Sequence, residues 1–157
     1  MRKKIIESDQ KQDSDSVQNW LDIEKLAVVE ISSESETFPI ESALLPGESA
    51  GWRASGPGKQ TIKLLFEAPL RIQWIRLAFE EPETERTQEF VLRWSKDRGG
   101  SYQEIVRQQW NFSPEGATRE LENYHCALPD VTTLELSIDP DISGRDAIAS
   151  LKELRLA

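Results

Sequence analysis

Two short stretches carry side chains suited to holding a polar, ring-shaped molecule. Trp110-Asn111-Phe112 sets a carboxamide between two aromatic rings, with Pro114 and Gly116 close behind. An aromatic face packs against an apolar C–H surface, and an amide offers both a donor and an acceptor to hydroxyls. Trp52-Arg53 is the second stretch, an indole next to a guanidinium. Each has a competing structural reading. Trp110 and Phe112 alternate, so they also fit as the continuation of a preceding strand. Buried aromatics supply much of any core, which favours a framework role for Trp52.

Residue types needed for covalent or metal chemistry are scarce. His125 and Cys126 are the only histidine and cysteine. Neighbours on an extended strand point to opposite faces, so they supply neither a zinc cluster nor a Cys–His dyad. The sequence has no phosphate loop ending in Gly-Lys-Ser/Thr and no nucleophile elbow. Glu80-Glu81, Glu83, Glu85, Asp139 and Asp141 are the residue type of glycoside hydrolysis, but that reaction needs a cleft and a fixed carboxyl separation. In Pro-rich and polar turns they read as a solvated acidic surface. The chain is expected not to be an enzyme.

Composition narrows the partners. A formal net charge of −9 argues against sequence-independent binding to nucleic acid or an anionic membrane, both of which need a basic surface. The single cysteine allows no internal disulfide, and no apolar run approaches membrane-spanning length, so a cytoplasmic location is expected. A length of 157 residues suits one domain. Residues 1–16 are polar and aperiodic and read as a flexible tail; residues 17–157 read as a single β-sandwich domain.

The elements that must position these residues are short strands. The clearest is a hairpin from Phe90 to Ile105: Phe90, Leu92 and Trp94 alternate with Val91, Arg93 and Ser95, and Asp97, Gly99 and Gly100 supply the turn. Leu26–Ile31 reads as a first strand, after a helical turn within Val17–Leu26. Residues 32–59 form a long irregular connection with one helical turn over Ile40–Leu45, anchored by Phe38, Ile40, Leu44, Leu45 and Trp52. Further strands are expected around Ile62–Phe66, Leu70–Phe79, Thr87–Ser95, Tyr102–Gln109, Ala117–Leu128 and Thr133–Ile138, with a loop from Trp110 to Gly116. Trp74 and Trp94 fall on strands and read as core or inter-sheet. The last segment fits a helix through Ile148, Leu151 and Leu154, and a strand through Leu154 and Leu156 equally well. Many short strands with Gly/Pro turns and no βαβ rhythm indicate a sandwich or jelly roll.

Five motifs in order carry a resemblance: Ile31-Ser-Ser-Glu34, Gly51-Trp-Arg-Ala-Ser55, Gln60 through Phe79, the Phe90–Ile105 hairpin, and Leu151-Lys-Glu-Leu-Arg-Leu156. Over residues 26–157 the chain resembles the discoidin family (coagulation factor 5/8 type C domains), with the galactose-binding-like fold of many carbohydrate-binding modules. The resemblance implies an all-β, eight-stranded antiparallel jelly-roll sandwich, and it tips the C-terminus towards a strand. It also implies ligand binding by loops at one end, and for many members a calcium ion in the loop before the Trp52-like residue. Here Pro46-Gly47 replaces the expected Asp-Gly, and Ala50 replaces the Thr. A hard cation seeks six to eight oxygens, so no metal and no cofactor is expected. The resulting expectation is a non-catalytic binding module for carbohydrate or a related polar ligand, with Trp110, Asn111, Phe112, Arg53 and Trp52 as candidate contacts. The alternative is a protein–protein interaction subunit that meets no sugar.

Overall fold

The alternation of apolar and polar residues becomes strands with one buried face. In the computed structural model, which describes residues 19–48 and 50–157, eight antiparallel strands follow one another. They are β1 (Ala27–Ile31), β2 (Trp52–Pro57), β3 (Gln60–Glu80), β4 (Arg86–Ser95), β5 (Gln103–Phe112), β6 (Arg119–Asp139), β7 (Ile148–Leu151) and β8 (Glu153–Leu156). Two single helical turns, α1 (Ile23–Leu26) and α2 (Glu41–Leu44), flank β1 and precede β2. The expected tail at residues 1–16 lies outside the described residues.

Two long strands serve both layers of the sandwich. β3 and β6 are each 21 residues long, and each was expected from sequence as two strands. Their ladder runs from Gln60↔Ile138 to Leu65↔Thr133, slips between Leu65 and Trp74, and resumes from Trp74↔His125 to Glu80↔Arg119. Pro69 and Pro129 sit in the slipped region. Proline has no N–H to give a ladder, so both strands bend there. Asp130 adopts φ 51°, which re-aims β6 after Pro129. The Arg98 guanidinium donates to the carbonyls of Phe66 and Glu67 at 3.0 and 3.1 Å, tying the hairpin turn to the bend.

One layer contains β1, the first half of β3, the second half of β6, β4 and β5. The other contains the first half of β6, the second half of β3 and β8, with the β2–β7 pair beside it. Ile62, Leu64, Phe66, Phe90, Leu92, Leu134 and Leu136 face Ile75, Leu77, Phe79, Leu154 and Leu156 in a single core. The Phe79 and Phe90 rings meet across the layers at 5.1 Å. Burial of such side chains, each worth about 1.5–3 kcal/mol, drives the layers together without disulfides.

The C-terminal segment resolves as two short strands. The β7–β8 corner falls at Lys152, whose N–H donates to Ala78 O. Leu151, Leu154 and Leu156 are all buried, which a lone helix face would not arrange against both β2 and β3. Trp94 is core as expected. Trp74 is half-buried and stacks on His125 at 4.2 Å across β3 and β6, so it packs on the outside of the layer and not between layers. His125 is exposed and Cys126 half-buried, on opposite faces of β6 as alternation requires.

Register fixes which loops meet. Ile31 faces Ile62, Gln60 faces Ile138, Arg86 faces Phe112, and Glu80 faces Arg119. The connections at 32–38, 57–60, 81–85, 113–118 and 140–147 therefore gather at one end of the sandwich. The 96–102 turn lies at the other.

Candidate functional site

At the loop-rich end the β2–β7 pair builds a groove. Trp52 faces Leu151 and Arg53 faces Ser150 in the ladder. Trp52 and Leu151 point into the core at 1% and 0% exposure. Arg53 and Ser150 lie on the opposite face, where directly paired side chains have their Cβ atoms within about 5.5 Å. Gly51 makes the approach possible: its φ is 80°, and a Cβ there would stand 2.8 Å from Leu151 O. The result is a cavity of about 240 Å³ lined by Phe38, Ala50, Trp52, Arg53, Glu80, Ser150, Leu151 and Lys152.

Phe38 comes from the long connection that sequence reading left irregular. Ser35 N donates to Arg53 O at 2.8 Å, and Arg53 N donates to Phe38 O at 3.2 Å. These bonds bring the ring beside the guanidinium, whose Cζ lies 5.2 Å from the ring centroid. Stacking orients the guanidinium without using its donors. Among the described residues neither Arg53 nor Lys152 has a carboxylate partner. Ser150 Oγ is buried at the groove with no hydrogen-bond partner. Among the described residues Glu80 is the only acid lining the groove, and its carboxylate lies 3.7 Å from Arg119 Nε. The groove thus offers an aromatic ring, two cations and an unengaged hydroxyl. It has no nucleophile–base pair.

The Trp110-Asn111-Phe112 stretch is elsewhere at the same end, and it is strand, not loop. β5 runs to Phe112, so the two rings share the inward face. Phe112 is fully buried under Arg86, whose Cζ lies 4.8 Å from the ring centroid. Trp110 is half-buried opposite Gln88, and its Nε1 is buried without a partner. Only Asn111 points outward, where its Oδ1 accepts a hydrogen bond from Thr87 Oγ1 at 2.6 Å. The two rings therefore do not flank an amide on an exposed loop: a strand period puts them on the face away from it. Trp52 is likewise framework, its Nε1 donating to Ser33 O at 3.0 Å. Of the five candidates, Arg53 alone presents its polar group to the groove. Ser150 and Lys152 were missed as contacts because the β2–β7 pairing joins segments about 100 residues apart, and Phe38 because an irregular connection carries it; no local pattern announces either.

Behind Trp110 lies a buried polar cluster that belongs to the interior. Arg86 Nε donates to Glu81 Oε1 at 2.9 Å, and Arg86 Nη1 donates to Pro140 O at 2.9 Å and Gln88 Oε1 at 3.3 Å. Gln88 Nε2 donates to Glu120 Oε1 at 3.3 Å. Burial, reinforced by the neighbouring Glu122 charge, pushes the Glu120 carboxyl up to about 7. Burial and the same carboxylate push the Tyr124 phenol up as well.

The calcium site that the resemblance implies does not fit the residues present. A cation in the loop before Trp52 would draw on its carbonyls. Here the buried Arg155 guanidinium takes two carbonyls leading into that loop, donating to Ala43 O at 2.8 Å and Leu45 O at 3.1 Å. Among the described residues no three His, Cys, Asp or Glu side chains converge as metal ligands.

No family model and no curated protein matches the sequence. Solved structures do match. A family 32 carbohydrate-binding module of Clostridium perfringens NanJ in complex with galactose superposes with a TM-score of 0.63 at 12% identity, over 87% of this chain and 96% of that one. A pectin-binding carbohydrate-binding module gives 0.58 at 17% identity, over 83% and 89% of the two chains. A GH29 fucosidase of Ruminococcus gnavus gives 0.63 at 8% identity, but this chain spans only 25% of its length. The chain has the β-sandwich fold of these carbohydrate-binding modules, the fold that the discoidin resemblance implied.

Proposed function

We propose that the protein is a non-catalytic carbohydrate-binding module whose ligand occupies the groove between Phe38 and Lys152. The observation that carries this reading is the composition of the groove: an aromatic ring, unpaired donors and a free hydroxyl at the loop end of a sandwich. Support also comes from the neighbours. Their number includes modules solved with galactose, with GalNAc-β-1,3-galactose and with 4,5-unsaturated mannuronic acid. The groove lacks an acid–base pair at a fixed separation, so binding and not bond cleavage is the activity it is built for.

Isothermal titration against a panel of neutral and acidic mono- and oligosaccharides tests the reading. Saturable binding is expected for at least one sugar, weakened about tenfold, or about 1.4 kcal/mol, in Phe38→Ala. A silent panel at millimolar sugar, with a folded protein by circular dichroism, would sink it and favour the protein-interaction alternative.

A further inference from the structure

We infer that the groove selects acidic sugars, with a uronate carboxylate held between Arg53 and Lys152. This rests on the reading of the groove as a carbohydrate site and names the ligand class it takes.

The chain carries 28 acidic against 19 basic residues, and among the described residues Lys59, Arg71, Lys96 and Arg98 also form no ion pair, so the telling feature is two such cations sharing one cavity. Arg86, Arg93, Arg107, Arg119, Arg145 and Arg155 all sit in ion pairs. Arg53 and Lys152 have none among the described residues, yet they line the same cavity. A protein folding for solubility alone gains nothing by leaving two like charges together and unpaired, since like charges at close range repel. An anion between them removes that cost.

Geometry adds the rest. Arg53 is half-buried and stacked on Phe38, so its planar fork is held in one orientation before any ligand arrives. A guanidinium in that state meets a carboxylate with two parallel bonds at little entropic cost. Lys152 is anchored at its backbone by the bond to Ala78 O at the β7–β8 corner, and it adds a point charge from the second wall. Ser150 Oγ lies paired across the ladder from Arg53, 93% buried and without a partner, and so supplies a donor or acceptor at the floor. A neutral hexose would fill the cavity of about 240 Å³ but would leave both cations desolvated and unmatched. Glu80 lines the same cavity, but its carboxylate lies 3.7 Å from the Arg119 guanidinium, which offsets part of its charge.

The experiment compares trigalacturonate with its methyl ester, which keeps the sugar and removes the charge, and adds trimannuronate and galactotriose. Wild type, Arg53→Ala, Lys152→Ala and Phe38→Ala are titrated at low and high salt. The expected result is binding of a free uronate at least tenfold tighter than the ester. That preference vanishes in Arg53→Ala and Lys152→Ala and shrinks at high salt. Phe38→Ala weakens acid and ester alike. Equal affinity for acid and ester, with both lost in Phe38→Ala, would overturn the acidic preference while leaving the carbohydrate reading standing. Silence from every sugar would overturn both.

Discussion

Two arginines in this molecule lie against phenylalanine rings, and they do opposite things. Arg86 packs on Phe112 with its side chain wholly buried, and it is engaged by Glu81, Gln88 and Pro140 O. Arg53 packs on Phe38 half-exposed, and among the described residues no carboxylate engages its guanidinium. The pairs are alike in chemistry and close in ring distance. What differs is topology. Arg86 is on the inward face of a central strand, where its Nε and Nη1 are met from within and its Nη2 stays buried without a partner. Arg53 is on the outward face of a two-stranded pair at the rim, where solvent or a ligand meets the donors instead. Framework and site are distinguished here by where the guanidinium faces, not by the residue pair: Arg86 is closed in and ion-paired, whereas Arg53 opens to the groove.

The largest effect should come from breaking the interior pair. Arg86→Met leaves the Glu81 carboxylate, 6% exposed, without its cation. Removing one partner of a buried ion pair costs about 3–5 kcal/mol. Urea denaturation should show a loss of that order, with much of it regained in Arg86→Met/Glu81→Met, because the penalty lies in the stranded charge. A loss below about 1 kcal/mol would mean the interior cluster is as optional as a surface pair.

Glu120 tests the same cluster through pH, with an effect of intermediate size. Its folded-state pKa of about 7 lies above the ordinary glutamate value of 4.5, so the native state binds the proton more tightly than the unfolded chain does. The stability this contributes is complete below pH 4.5 and is lost as pH rises through about 7. Wild-type stability should therefore fall across that window. Glu120→Gln, which keeps an acceptor for Gln88, should flatten the slope and be more stable than wild type at pH 8 by about 2 kcal/mol. An unchanged slope in the variant would place the titrating group elsewhere.

The same contrast explains what the sequence made legible. Period-two patterning at Phe90, Leu92 and Trp94, and at Leu134, Leu136 and Ile138, was readable because one buried face imposes it. Phe112 misled for the same reason in reverse: an aromatic at a strand's last position looks like a loop residue when the strand's end is hidden. The gaps between the expected strands at 67–69 and 129–132 looked like breaks, yet both strands continue in the other layer after a bend. The groove was largely invisible. Trp52-Arg53 was visible as chemistry, but its partners Ser150 and Lys152 arrive through a long-range pairing with no periodic signature, and Phe38 through two backbone bonds of an irregular connection.

The smallest stability change should come from the rim pair, and that smallness is what identifies it. Arg53→Ala removes a cation–π contact at a half-exposed site, worth about 0.5–1 kcal/mol, and strands no buried charge. Lys152→Ala removes less, because its structural bond to Ala78 O is made by the backbone. Chemical denaturation of both variants should stay within about 1 kcal/mol of wild type while sugar binding falls at least tenfold. Arg86→Met, assayed under conditions where it is folded, should bind as wild type does, since no atom of its cluster lines the groove. If Arg53→Ala instead destabilised the fold as severely as Arg86→Met, the Arg53–Phe38 stack would be framework. An accessible guanidinium at the rim would then no longer mark a site.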